Sequence, residues 1–267
     1  MKRGTVWAAL LFATNMATAE DCKVTAVTLS SSLVRSQWQE FSASEQMLLE
    51  EKGTLNAHQL GSHALCLGAE WQMQWGQAQG QRRYVGLTNK KQAATTTTDI
   101  QDQFFKVDAL IPFGAFWFVD IGLERRTTDR NIQSTEQAAG YPESFKQLTG
   151  LAGLRYRMPF GDDSTLDASM RMGRPFHGQV WLDLPNADPA LLSLGKGRVT
   201  EAKLMWTQKM SAHPGWLWGT SLHWRRTTTA ASNATALIKN DRLVGTATQP
   251  RTHTQSLGLN ATIGYEF

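Results

Sequence analysis

The chain has 267 residues, 27 of them basic and 23 acidic, for a formal net charge of +4. So small a surplus excludes the concentrated basic face that nucleic-acid binding needs, and two cysteines are too few for a four-cysteine zinc site. No stretch past the first residues approaches 18 consecutive apolar residues, so no helical membrane span is expected.

Lys2 and Arg3 precede an apolar run from Val6 to Phe12, and Ala17-Thr18-Ala19 then puts small residues where a signal peptidase reads. This pattern predicts a secretory signal peptide over residues 1–19 with cleavage after Ala19. Glu20 and Asp21 stand where a lipoprotein signal needs small residues ahead of Cys22, which argues against lipidation. The mature domain, residues 20–267, loses Lys2 and Arg3 and keeps a net charge of +2. Export exposes its two cysteines to an oxidising compartment, where pairing is expected.

Beyond the signal, alternation carries the information. Leu65, Leu67, Ala69, Trp71, Met73 and Trp75 alternate with small or polar residues, which predicts one strand with an apolar and a polar face. The same pattern recurs over Phe105–Ile111, Trp117–Glu124, Ala152–Met158, Leu166–Gly173, Ala202–Trp206, Trp216–Arg225 and Leu257–Phe267. Tight links containing Gly and Pro (residues 112–116, 159–164 and 211–215) alternate with long polar ones, roughly residues 76–99, 127–145, 175–198 and 227–253. Short turns at one end and long loops at the other predict an up-and-down transmembrane antiparallel β-barrel. Ser30–Phe41 and Gln46–Thr54 read as a further hairpin, or residues 43–53 as a helix. With the hairpin the count is about ten strands, with eight or twelve as alternatives, and an even number leaves both ends on the periplasmic side.

The apolar phase is expected to face lipid rather than a soluble core. The opposite phase holds Gly, Ser and Gln with sparse charges of both signs (Glu70, Asp120, Arg155, Arg171, Lys203, Arg225), as a narrow lumen of paired side chains would. Aromatic residues crowd the ends of the apolar runs, with Trp71, Trp75 and Trp224 at one level and Trp117, Tyr156, Trp216, Trp218, Tyr265 and Phe267 at the other. Amphipathic rings at two levels are interfacial girdles. An eleven-residue strand tilted by about 45° covers about 24 Å of height, close to the ~25 Å apolar band of such barrels.

The last residues, Leu257 to Phe267, alternate strictly and end on an aromatic ring. This terminus resembles the C-terminal strand of Gram-negative outer-membrane β-barrel proteins. The resemblance implies an address in the bacterial outer membrane and an assembly signal at Leu259, Ala261, Ile263, Tyr265 and Phe267, read by the barrel-assembly machinery. It also implies a monomer surrounded by outer-membrane lipid and lipopolysaccharide.

The candidate sites follow from these placements. Cys22 and Cys66 both fall near the periplasmic floor, which favours a disulfide between them. Three arginine pairs lie at outer strand ends or in outer loops. From them Arg83, Arg125 and Arg226 are candidates for lipopolysaccharide binding, because guanidinium binds phosphate in two-pronged fashion; otherwise they simply end the apolar band. His223 and Ser221 share the lumen phase of one strand, and Asp120 and Glu124 that of another. They suit a base oriented by a carboxylate, although a narrow lumen needs paired charges in any case. No phosphate-cradling glycine loop or metal-ligand motif is present, so no cofactor, metal or nucleic-acid partner is expected. The sequence thus points to a narrow-lumen barrel acting through its outer loops, with a surface hydrolase of lipopolysaccharide or peptides, or a small channel, as alternatives.

Overall fold

The computed structural model describes residues 22–87, 92–136 and 138–267. The signal peptide expected over residues 1–19 lies outside the described residues. These hold thirteen strands: β1 (Cys22–Phe41), β2 (Met47–Cys66), β3 (Ala69–Leu87), β4 (Ala93–Pro112), β5 (Trp117–Ile132), β6 (Tyr141–Phe160), β7 (Ser164–Leu182), β8 (Ala190–Ser193), β9 (Gly197–Lys209), β10 (Trp216–Thr229), β11 (Thr235–Lys239), β12 (Arg242–Ala247) and β13 (Arg251–Glu266). Ten of them, all but β8, β11 and β12, form one antiparallel wall.

The wall closes on itself. β1 pairs with β13 from Ala26↔Glu266 to Phe41↔Arg251, so the first and last strands have no open edge. Going round by paired residues from Leu259 through β1 to β5 arrives at Ser144 on β6. Going the other way, through β10, β9 and β7, arrives at Tyr156. That stagger is what tilts strands in a closed barrel.

The wall is inside-out compared with a soluble protein. Leu33 (61% exposed), Leu123 (54%), Met172 (54%) and Leu259 (61%) stand on its outer surface, whereas Asp120 (0%) and Glu124 (2%) are shut inside. Exposing a continuous apolar belt to water would be unfavourable by tens of side chains' worth of burial, so the belt must face hydrocarbon. Rings gather at its lower edge: Trp117 packs on Tyr156 with centroids 4.8 Å apart, Trp216 on Tyr265 at 5.6 Å, and Tyr265 on Phe267 at 5.3 Å.

Two expectations are corrected. Leu65 to Trp75 is a hairpin, not one strand: β2 ends at Cys66, Leu67 and Gly68 turn with φ of 53° and 75°, and β3 begins at Ala69. A two-residue turn with both φ positive matches strand twist. Nothing in the alternation betrayed it, because Leu67 occupies a position usually taken by Asn or Asp. Cys66 therefore closes a descending strand, and Trp71 sits nearer the periplasmic end than its place in the pattern suggested. Second, most of the long polar "loops" are strand. β3 continues to Leu87 and β4 starts at Ala93, so residues 76–87 and 93–99 extend the wall above the belt. Outside the membrane both faces of a strand can be polar, so the apolar period stops while the hydrogen-bonded ladder continues. Residues 43–53 form a turn and the start of β2, not a helix.

Above the belt, apolar side chains meet across the lumen and form a seal of buried residues. Trp38 of β1, Leu49 of β2, Phe145 of β6, Val180 and Leu182 of β7, and Ala190 and Leu192 of β8 meet in one buried apolar cluster. β1 and β6 stand on opposite sides of the ten-stranded wall, yet Trp38 and Phe145 are in edge contact, with centroids 5.0 Å apart. The β11–β12 hairpin adds Leu237 and Ala247 to the same cluster.

Candidate functional site

Below that seal the lumen is filled by ion pairs contributed from around the wall. Arg171 of β7 donates to Asp108 of β4 at 2.8 Å and to Asp120 of β5 at 3.3 Å, and it also contacts Glu201 of β9. Arg155 of β6 reaches Asp120 at 3.0 Å and Gln72 at 3.2 Å. Glu124 takes Arg225 at 2.7 Å and Arg126 at 3.0 Å. Lower down, Arg157 bridges Glu70 at 2.7 Å and Asp167 at 3.1 Å. Under the seal Arg130 is fully enclosed, donating to Glu51 at 2.8 Å and Glu40 at 3.4 Å and contacting Glu143, with its guanidinium 4.4 Å from the Trp38 ring. Partners from distant strands are held together across the bore, so the network ties the wall to itself. Breaking one member would strand an uncompensated buried charge.

The network leaves cavities in the bore, two of which share Gln59, Gln74, Lys203 and Asn260 in their linings. One of about 240 Å³ lies beside Lys106, Glu124, Arg171 and His223. The other, about 370 Å³, reaches down past Arg157 and Asp167 to Thr25, Glu266 and Phe267 at the periplasmic end. Among the described residues no group of three His, Cys, Asp or Glu side chains is arranged to hold a metal ion.

The catalytic candidates sit in this lumen but not with one another. Asp120 faces Arg155 and Arg171, and Glu124 faces Arg126 and Arg225. Ser221 accepts from the Asn260 amide at 2.8 Å, and that same nitrogen is 3.4 Å from Nδ1 of His223. The imidazole packs against Gly258, where an added Cβ would come within 2.0 Å of its ring carbon. His223 and Ser221 thus share Asn260 as neighbour, on the wall across from β5. Cys22 and Cys66 are joined in a disulfide between directly facing residues of β1 and β2, with Cα atoms 4.3 Å apart. At the terminus Leu259, Ile263, Tyr265 and Phe267 are exposed on the outer wall with Ala261 in the same phase. The Phe267 amide donates to Thr25 O at 3.0 Å.

Each arginine pair of the sequence is split by the wall. Arg82, Arg126 and Arg225 point inward to Glu51, Asp102 and Glu124 respectively. Arg83, Arg125 and Arg226 are exposed outside. On three strands the first outward-facing residue above the apolar run is arginine: Arg35 after Leu33, Arg125 after Leu123 and Arg226 after Trp224; Arg174 also faces outward after Met172, with Phe176 (61% exposed) following it in the same phase. Among the described residues none of these four has an acidic partner, although each lumen arginine named above has one. Arg83 stands higher, with Gln77, Gln79 and Gln81 between it and Trp75. Sequence reading missed Arg35 and Arg174 because neither belongs to a doublet; the signal for Arg35 is position, one step beyond Leu33 in the same phase.

These features define a transmembrane β-barrel of the bacterial outer-membrane type. One solved structure agrees on the fold. The outer membrane protease OmpT from Escherichia coli superposes with a TM-score of 0.55 at 9% identity, covering 94% of this chain and 98% of that one. OprG from Pseudomonas aeruginosa is more distant, with a TM-score of 0.41 at 11% identity over 92% of this chain and 97% of its own. No protein-family model and no curated protein matches the sequence.

Proposed function

We propose that the protein is a monomeric, non-conducting outer-membrane barrel that works at its outer surface, holding phosphorylated outer-leaflet lipid such as lipopolysaccharide through outward-facing arginines. The observation that carries this reading is the contrast between inner and outer arginines. Seven guanidinium groups in the bore are neutralised by carboxylates, whereas among the described residues Arg35, Arg125, Arg174 and Arg226 have no acidic partner and face outward, with Arg35, Arg125 and Arg226 at the upper edge of the belt, where lipid phosphates lie. A guanidinium there gains charge-assisted hydrogen bonds from phosphate and leaves its aliphatic stem on the apolar surface. The apolar seal at Trp38 and Phe145 and the cross-bore ion pairs speak against a channel, and a ten-stranded bore has room for little beyond side chains. With every wall strand paired on both sides, no edge invites a second copy. Assembly in the cell would run through the machinery that reads Leu259, Ala261, Ile263, Tyr265 and Phe267.

The test is lipopolysaccharide carried through purification from outer membranes. The quadruple variant R35A/R125A/R174A/R226A should retain several-fold less per barrel than the parent, at equal folded yield. Equal retention by both would remove the arginines from the reading, and discrete current steps from the parent in a planar bilayer would remove the closed bore.

A further inference from the structure

Polar side chains on the lipid-facing wall of a barrel are costly, and one pair of them here stands beside leucines at the upper part of the apolar surface. Ser31 of β1 and His58 of β2 are directly facing residues. Both are exposed on the outer surface, and the Ser31 hydroxyl lies 3.0 Å from Nδ1 of His58. Along β1 the pair is framed by Leu29 and Leu33, 55% and 61% exposed, and the paired row continues to Ala261 on β13. We propose that Ser31 and His58 are a nucleophile and its base, acting on the acyl esters of membrane lipid from the outside of the barrel.

Depth supports the assignment. Arg35, taken in the preceding section as a phosphate-level residue, is four positions further out on the same strand. At ~3.3 Å per residue and a tilt of about 45°, the hydroxyl sits about 9 Å beneath it. That is where the ester carbonyls and first methylenes of a phosphate-anchored lipid begin. A histidine at such a depth is unfavourable without a task or a partner, and its ring nitrogen is aimed at a hydroxyl with the geometry that activates a serine. Asn56, the next outward side chain on β2, places an amide donor on the same face for a developing oxyanion.

The chemistry balances with water as the only co-reactant. The Ser31 Oγ–H proton passes to Nδ1 of His58 as Oγ bonds to the ester carbonyl. Collapse of the tetrahedral intermediate breaks the carbonyl carbon–alkoxy bond, and the leaving lyso-lipid oxygen takes the proton from His58. Interfacial water then attacks the acyl-Ser31 ester, with His58 again accepting and returning a proton, to release a fatty acid and the free hydroxyl. The site is distinct from His223 and Ser221, which lie on the other side of the wall and reach no lipid.

The full-length protein, refolded in detergent, is treated with an alkyl fluorophosphonate and digested for mass spectrometry. Fatty acid release is followed in parallel from mixed micelles of diacyl phosphatidylethanolamine or of lipopolysaccharide, which separates the two sources of acyl ester. The expected result is an adduct on Ser31, slowed at least tenfold in H58N, with release from at least one micelle that S31A and H58N both abolish. No adduct on the folded parent, an adduct indifferent to H58N, or no release from either micelle would each overturn the proposal. Heat-modifiable mobility reports whether each variant folds, and H58Q replaces H58N should the latter not. The proposal borrows its depth marker from the arginine reading, yet the two fail separately: R125A/R226A should lose lipopolysaccharide while labelling of Ser31 persists.

Discussion

Arg225 and Arg226 are adjacent in the chain and meet opposite environments: Arg225 donates to Glu124 across the bore at 2.7 Å, while Arg226 stands exposed on the outer wall. One step along a strand carries a side chain from one face to the other. In a barrel those faces are an enclosed polar bore and lipid, so neighbouring identical residues acquire unrelated tasks.

Substitution should separate those tasks. Arg225→Ala leaves Glu201 and Glu124 short of a partner and should lower unfolding stability by about 3 kcal/mol, read from urea titrations of tryptophan fluorescence in detergent. Arg226→Ala should leave the midpoint unchanged and reduce only the retained lipopolysaccharide. A shifted midpoint for the second variant would place Arg226 in the structural network.

The outer seal predicts a conditional pore. Trp38→Ala should cost about 3–5 kcal/mol, as large-to-small core changes do. Combined with Phe145→Ala it removes both rings that meet across the bore and exposes Arg130 and its carboxylates. Single-channel recording should then show current steps that the parent lacks. A silent double variant would locate the barrier in the ion-pair layer below.

The Cys22–Cys66 bond ties the start of β1 to the end of β2 over a sequence separation of 44. The chain-entropy model assigns such a loop about 4 kcal/mol, an upper figure here because the hairpin between the cysteines orders the same segment. Dithiothreitol should lower the denaturation midpoint of the folded barrel without opening it, and C22A/C66A should match the reduced parent. Insensitivity to reductant would mean the β1–β2–β13 pairings already hold this end closed.

Phe267 packs on Tyr265 outside the wall, and its amide bonds to Thr25. Phe267 itself is 68% exposed. Phe267→Ala should therefore refold in detergent at nearly the parental yield, yet insert poorly when assembly depends on the cellular machinery. Matched losses in both settings would make the residue structural rather than a signal.

Much of the fold could be read from the chain because a lipid-facing wall imposes one period on every strand. Leucine, tryptophan and methionine at alternate positions identified seven of the ten wall strands closely, and the polar phase between them held Asp120, Glu124, Arg155 and Arg171 where the bore is. The reading failed where that period carried no information. Through Leu67-Gly68 the chain reverses while the apolar beat continues. Above the belt, residues 76–87 remain in the ladder after the beat has stopped. Of the lipid-facing candidates, Arg125 and Arg226 were found as doublets and lie at the belt's edge. Arg35 and Arg174 stand out as outward-facing only when strands are set side by side.

The sequence alone determined which side chains share a face and that one face is apolar from end to end of a crossing, because alternation is a local property of extended backbone. Which residues meet across the bore was decided only by closure. Arg171 joins Asp108, Asp120 and Glu201 from three other strands, and Trp38 reaches Phe145, because the stagger between strands sets the height at which each pair faces the other. Ser31 and His58 face each other for a more local reason, the register of the β1–β2 hairpin.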